Sequence, residues 1–214
     1  MGWYNLPNEC TVDKLLYGGY MTITDENIRY VAFRYFLEKG YEATNIRDIC
    51  NEVGIKPSSL YFYYQSKQEL FFSIYDAIWL EKIKLLKENE KLELSNSLEL
   101  NLYRIYNNMV TYLVLEIVKH KFLLRYHLFP PNELSNILRE RFKYWTNEEN
   151  RIIFNIINES LSNNTNLSSE YYLNTFKKFI NIQIANMIIT NIKVTDFELD
   201  LVWSRFWNTE MLYE

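Results

Sequence analysis

The stretch from Thr44 to Leu70, TNIRDICNEVGIKPSSLYFYYQSKQEL, carries two helix-stopping signals close together, so only short helices meeting at a sharp turn fit it. Thr44 is the predicted N-cap, and Ile46, Ile49, Cys50 and Val53 follow at intervals of three and four, which lays one apolar stripe along a short helix. Gly54 ends that helix, because glycine accepts the left-handed conformation at little cost. Proline disfavours helical geometry in the residue before it and fits a first helical position, so Lys56-Pro57 predicts a new helix starting at Pro57. Leu60 and Tyr64 face inward on it, which leaves Ser58, Ser59, Tyr61, Phe62 and Tyr63 on its outer faces. Small hydroxyls and aromatics on a short outward helix suit a DNA groove, and the pattern is that of a helix-turn-helix.

A helix is predicted on either side. Thr24 opens a run with Ile28, Val31, Ala32, Tyr35 and Phe36 at the helical period, and Gly40 stops it. Ser66 and Glu69 form a capping box for a long fourth helix, Ser66 to about Asn89, on which Leu70, Phe71, Ile74, Ala77, Ile78 and Leu85 supply the apolar face.

Residues 24 to 71 resemble the N-terminal DNA-binding domain of the TetR family of transcriptional regulators. The resemblance rests on the first amphipathic helix, G-Y-x-A-T at Gly40 to Thr44, R-D-I at Arg47 to Ile49, V-G-I at Val53 to Ile55, S-S-L-Y at Ser58 to Tyr61 and S-K-x-E-L at Ser66 to Leu70. Tyr63 stands where the family most often has histidine, and Tyr64 where it often has phenylalanine, so Tyr64 must bury or hydrogen-bond its hydroxyl. The resemblance implies nine helices: a DNA-binding domain over residues 22–70 and an effector-binding and dimerisation domain over 71–214, after an extension over 1–21. It also implies contact with a double-stranded DNA operator. Arg47 and the face of Pro57, Ser58, Ser59, Tyr61 and Phe62 are expected to read bases, while Thr44, Lys56, Tyr63, Lys67 and the first amides of the reading helix hold phosphates.

Charge qualifies that expectation. Between Thr24 and Leu70 the bases Arg29, Arg34, Lys39, Arg47, Lys56 and Lys67 are outnumbered by Asp25, Glu26, Glu38, Glu42, Asp48, Glu52 and Glu69. Binding must depend on where the few cations sit, and non-specific affinity should be weak.

The whole chain, 214 residues with 48% hydrophobic content, can bury a sizeable core, and five glycines with four prolines leave few turns, so the class is all-α. The stretch MGWYNLPNEC lacks a basic region and an apolar core, and no segment approaches about 18 uncharged apolar residues, so neither a signal peptide nor a membrane span is expected and the location is cytoplasmic. Cys10 and Cys50 fit a reducing compartment; Cys50, on a core face, reads as a buried structural thiol, with a redox sensor as the alternative. Residues 1–21 offer a short helix around Val12 to Tyr17 closed by Gly18-Gly19, or a frayed tail.

Beyond Glu90 five more helices are predicted, Ser97 to Lys119, His120 to Leu128, Asn132 to Leu161, Ser168 to Ile192 and Thr195 to Leu212, with Pro130-Pro131 and the polar run Ser162 to Asn166 as breaks. On the last two, Tyr172, Phe176, Phe179, Ile180, Ile184 and Met187 form one stripe and Leu199, Val202, Trp203, Phe206 and Leu212 another. Phe176, Phe179, Ile180, Val202 and Phe206 are therefore expected at a homodimer interface; intramolecular core is the alternative. The aromatics Tyr103, Tyr106, Tyr112, Phe122, Tyr126, Phe129, Trp145 and Phe154, with Met109, mark a pocket for a small hydrophobic or aromatic effector, or simply a core. His120 and His127, seven apart, share a predicted face but not a metal-binding distance, so solvent-facing or hydrogen-bonded roles are expected for both.

No glycine-rich phosphate loop, G-x-S-x-G, H-E-x-x-H or convincing carboxylate pair is present, so no enzyme, cofactor or metal is expected. The leading expectation is a ligand-responsive transcriptional regulator, a repressor by analogy, and the alternative is a helical carrier or sensor with a vestigial DNA-binding motif.

Overall fold

A computed structural model describes residues 23–91, 97–161, 167–190 and 196–211. It is all-α, with no strand among the described residues. The helices are α1 (Ile23–Lys39), α2 (Ile46–Val53), α3 (Pro57–Tyr63), α4 (Lys67–Lys91), α5 (Leu98–Leu115), α6 (Ile117–Leu128), α7 (Ser135–Ser160), α8 (Ser169–Thr190) and α9 (Asp196–Phe206). A single 3-10 turn, Asn132–Leu134, leads into α7, and a wider π turn, Trp207–Met211, continues α9. The expected helix around Val12 to Tyr17, Cys10, the loop Ser162 to Asn166, and Thr195 and Leu212 at the ends of the last helix lie outside the described residues.

The chain divides into two compact units, one reaching to Glu81 and the other beginning at Lys82. The sequence places the boundary near Leu70; the difference arises because the first turns of α4 belong to the core of the first unit. There Phe71 meets Phe36 and Tyr41 edge-on, each at 5.3 Å between ring centroids. Gly40 and Gly54 close α1 and α2 at φ 85° and 77°, a region that side-chain-bearing residues rarely adopt. Ser66 caps α4 by accepting from the Glu69 amide at 3.0 Å, while the Glu69 carboxylate reaches back to the amide of Gln65 at 2.6 Å.

In the second unit, Leu102, Ile105 and Leu113 of α5, Ile152, Ile153 and Ile157 of α7, and Phe176 and Ile180 of α8 are all buried. Asn101 donates to the Ser160 hydroxyl at 2.7 Å and Ser160 to the Ile156 carbonyl at 2.6 Å, which stitches the start of α5 to the end of α7. The break between α5 and α6 falls at Glu116 rather than between Lys119 and His120. Glu116 leaves helical geometry at φ −121°, ψ 35°, and its carbonyl accepts from the amides of Lys119 and His120 at 2.9 and 3.3 Å, so a new helix nucleates there without glycine or proline.

Candidate functional site

The reading helix is fixed from behind by a buried polar network. Tyr64, just past the end of α3, donates to Oδ1 of Asp25 at 2.5 Å, and Oδ2 of Asp25 pairs with Arg29 at 2.9 Å. Burial, then the hydrogen bond to Asp25, pushes the Tyr64 hydroxyl well above the ordinary phenol range, so it remains a donor. Leu60 is fully buried beneath α3. With Leu60 and Tyr64 anchored, the helical period turns the remaining side chains outward: Tyr61 is 50% and Phe62 85% exposed, and Pro57, Ser58 and Ser59 are exposed beside them.

Thr44 does not act as the cap of α2. Asn45 does, its side chain accepting from the Arg47 amide at 2.9 Å, while the Thr44 hydroxyl is buried and donates to the Gly40 carbonyl at 2.7 Å. The tight turn after Gly40 brings that carbonyl within reach, which leaves no Thr44 proton for a phosphate. Lys67 is similarly engaged: its ammonium donates to the carbonyls of Tyr41 at 2.9 Å and Thr44 at 3.1 Å and lies 4.3 Å from the centre of the Tyr41 ring. Of the two amides expected to be open at the start of α3, that of Ser59 donates to the Lys56 carbonyl at 2.9 Å.

The cations of this unit therefore sort themselves. Arg29 is on Asp25, Arg34 pairs with Glu52, Lys39 lies 3.9 Å over the Tyr35 ring, and Lys67 holds two carbonyls. Arg47 and Lys56, both exposed, carry the side-chain cations with no such partner among the described residues, and they flank the turn between α2 and α3. Tyr63 is half-buried, with its ring edge-on to Phe62 at 5.4 Å. The resulting surface has two exposed cations, three small or hydroxyl-bearing residues and two exposed rings, a set able to hold phosphates and to press apolar atoms on thymine methyls.

The second unit has a different interior from the aromatic-walled pocket expected. Tyr106, Phe122 and Tyr126 are fully packed and Trp145 is buried, Tyr103 and Phe154 are half-buried, and Phe129 is 76% exposed. Tyr106 stacks on Trp203 at 5.4 Å and meets Phe179 at 5.2 Å, as core residues do. Only Met109 and Tyr112 of the expected set line a small, partly open cavity, together with Lys82, Leu85, Leu86, Asn108, His120 and Glu149. Its volume, measured as the space open to the centre of a water molecule, is about 10 Å³, the room one water needs. An open groove of about 480 Å³ lies along Ser97, Leu100, Tyr103, Asp200 and Trp203, where Tyr103 donates to Asp200.

The sequence reading missed the charges of that interior. Glu149, 3% exposed, takes Lys177 on Oε2 and Lys82 at 3.6 Å on Oε1. Burial alone raises the Glu149 carboxyl, but the two lysines outweigh it and hold it at about 2. The signal was present: Glu149 falls on the α7 stripe of Trp145, Ile152 and Ile156, and Lys82 on the α4 row of Ile78 and Leu86. The two histidines do not share a face. His127 is exposed and stacks on Phe142 at 3.9 Å, whereas His120 is 6% exposed with no hydrogen-bond partner for Nε2, and burial and then the neighbouring Lys82 hold its pKa at about 3.

The residues expected at a dimer interface are mostly buried within the second unit itself. Phe176, Phe179, Ile180 and Phe206 are buried, and Phe179 stacks on Phe206 at 3.9 Å; Val202 is half-buried. The apolar side chains exposed on α8 and α9 are instead Ile182, Ile189 and Leu201. Among the described residues no helix is long and apolar enough to cross a membrane, and no group of three or more metal-ligating side chains is assembled.

Residues 28–74 match the family model described as bacterial regulatory proteins, tetR family. A segment of 40 residues is 45% identical to the biofilm operon icaADBC HTH-type negative transcriptional regulator IcaR of Staphylococcus epidermidis, covering 19% of this chain and 22% of that protein's length. In fold, the chain is similar to a TetR-like transcriptional regulator from Rhodococcus sp. RHA1, with a TM-score of 0.68 at 15% identity over 90% of this chain and 98% of that one. It is also similar to the regulator FadR of Bacillus subtilis solved in complex with stearoyl-CoA, with a TM-score of 0.63 at 15% identity over 85% and 95%. The helix-turn-helix built on Leu60, Tyr64 and Asp25 and the family match that spans it agree: residues 28–74 form a DNA-binding domain of the tetR family type, and the described chain shares its all-α fold with a TetR-like transcriptional regulator.

Proposed function

We propose that this regulator is a ligand-responsive repressor that binds a palindromic or near-palindromic operator as a homodimer and is released by a small effector held in its second unit. The observation that carries the DNA half is the outward face of α3, where an 85% exposed phenylalanine, Phe62, stands beside Tyr61, Ser58 and Ser59 while Leu60 and Tyr64 lock the helix from behind. Exposed aromatic surface at the tip of a short helix has little use except against a partner. Arg47 and Lys56 are the cations available to it, Arg47 for a bidentate contact to guanine and Lys56 for a phosphate. The dimer is supported by Ile182 and Ile189, two turns apart on α8, and Leu201 on α9. Repression is supported by the Staphylococcus epidermidis relative, described as a negative regulator. A bound effector is supported by the Bacillus subtilis regulator of like fold, which was solved with stearoyl-CoA. α4 runs unbroken from Lys67 to Lys91 and so carries residues of both units, which gives an effector beside Lys82 a covalent route toward the reading helices.

The test is selection of the full chain against random duplexes at physiological salt, followed by footprinting. A two-fold symmetric site with half-sites about one DNA turn apart, about 34–36 Å, is expected; recovery of no enriched sequence overturns the reading.

A further inference from the structure

His120 on α6 and Glu149 on α7 line the same small cavity of the second unit, and each brings to it a buried polar atom that makes no hydrogen bond, Nε2 of the ring and Oε1 of the carboxylate. Both residues are more than nine-tenths buried, at 6% and 3% exposed. The second carboxylate oxygen, Oε2, is taken by Lys177, and Lys82 approaches Oε1 as an ion pair at 3.6 Å, too long for a hydrogen bond. Polar atoms in native interiors are almost always satisfied, by the protein or by ordered water, because leaving one unpaired is costly.

The size and chemistry of the cavity decide what can complete these bonds. At about 10 Å³ open to the centre of a water molecule, it admits one water and excludes an organic head group. A metal ion is disfavoured by Lys82 on the same wall, and among the described residues no third histidine, cysteine or carboxylate joins His120 and Glu149 there. We propose that a single water occupies this cavity and bridges α6 to α7, donating one proton to Oε1 of Glu149 and closing its second bond on Nε2 of His120. The ionised carboxylate only accepts, whereas a neutral ring nitrogen donates or accepts according to its tautomer. Water does both, so it serves the ring in either tautomer. Two partners are enough to hold it, since buried waters make about two to four hydrogen bonds. The bridge solvates the edge of the carboxylate that faces away from Lys177, and it accounts for a histidine at a core position of α6 beside the buried Phe122 and Leu123. It is independent of the effector reading, because it concerns how the interior is held together.

The test uses the full chain labelled with ¹³C and ¹⁵N. Water-selective NOE measurements read the carbon-bound ring protons of the histidines, and ¹⁷O relaxation dispersion of the solvent counts long-lived waters while being blind to exchanged protein protons. A long-lived water contact is expected at the His120 ring, against only the brief contact of surface hydration at the exposed His127. His120→Phe keeps a ring and removes both nitrogens, so the ¹⁷O dispersion should fall by the amplitude of about one water. The measurement on the unaltered protein decides the matter even where that variant unfolds. Absence of a long-lived water at the His120 ring overturns the proposal, as does a folded His120→Phe with undiminished dispersion. A water signal at the ring with no ¹⁷O dispersion at all overturns it too, because the signal then comes from exchanging protons of the Lys82 ammonium.

Discussion

The Tyr64 hydroxyl and the Asp25 carboxylate, 39 residues apart, share a buried 2.5 Å hydrogen bond that ties the end of α3 to the start of α1. Tyr64→Phe keeps the packing and removes the donor, while Asp25 keeps Arg29. Hydrogen bonds to charged groups contribute about 1.5–3 kcal/mol, so urea unfolding should show a loss of that size, with operator affinity reduced for the same reason. Unchanged stability in Tyr64→Phe would show the bond to be incidental. Asp25→Ala should cost more, because it leaves the buried Arg29 without its carboxylate.

Arg47 and the rings of α3 are expected to separate by what they read. Arg47→Ala should lower affinity for the selected operator by about 1–3 kcal/mol and relax discrimination at one base pair. Phe62→Ala should act mainly where thymine methyls face the helix. Gel shifts on cognate and scrambled duplexes check both, and an equal loss on the two duplexes assigns Arg47 to phosphate instead.

The two lysines near the interface should behave oppositely. Lys56→Met is expected to reduce the slope of log affinity against log salt by about 0.9, the signature of one phosphate contact. Lys67→Met should leave that slope alone and lower stability, since its ammonium holds the carbonyls of Tyr41 and Thr44. A reduced slope for Lys67→Met would return Lys67 to the DNA.

On α8, Ile182→Glu combined with Ile189→Glu should give folded monomers with weakened operator binding, read by sedimentation and circular dichroism. Phe179→Glu should instead unfold the second unit, because Phe179 is packed between Tyr106, Trp203 and Phe206. Folded monomers from Phe179→Glu, with dimers surviving the isoleucine pair, would reverse the two assignments.

Acid should weaken the fold earlier than carboxylates alone dictate. His120 is held at about 3 in the folded chain against 6.5 ordinarily, so between those values only the unfolded chain takes up the proton. Stability is then full above about pH 6.5 and falls as the pH drops, by at most about 2 kcal/mol by pH 5. Glu149 works in the same direction lower down: held at about 2 against 4.5, it contributes stability that is lost as the pH falls through that interval. Lys82, Lys119 and Glu149 are the charged groups that face His120. His120→Gln should flatten the curve above pH 5, and an unchanged curve would show that the ring is not buried in solution.

Where local chemistry decides structure, the sequence was sufficient. Gly54 and Pro57 each constrain their own backbone, so the turn and the start of α3 could be placed to the residue. Leu60 and Tyr64 followed from the helical period. Thr44 and Asn45 are adjacent and equally able to cap, and the choice between them turned on a carbonyl at Gly40 whose approach no local rule supplies. The mismatch at Lys67 has the same origin, since its acceptors lie 23 and 26 residues away. The cluster on Glu149 was hardest to read, because each charge looks like a tolerated exception on its own helix and only the assembled unit brings four of them together. The stripes on α8 and α9 announced burial, but an apolar face predicts burial without naming the partner.

On the function proposed above, the clasp made by Lys67 bears on how an operator would be found among the rest of a genome. A domain with more acids than bases, whose cations are largely committed to its own carboxylates, rings and carbonyls, gains little from displacing counterions on arbitrary DNA. Competing sites number about 10⁶–10⁹ in a genome, and weak attraction to each of them leaves more of the protein free in solution. Fewer copies per cell would then suffice to fill one operator, and the search would proceed by repeated three-dimensional encounters more than by long sliding along the duplex.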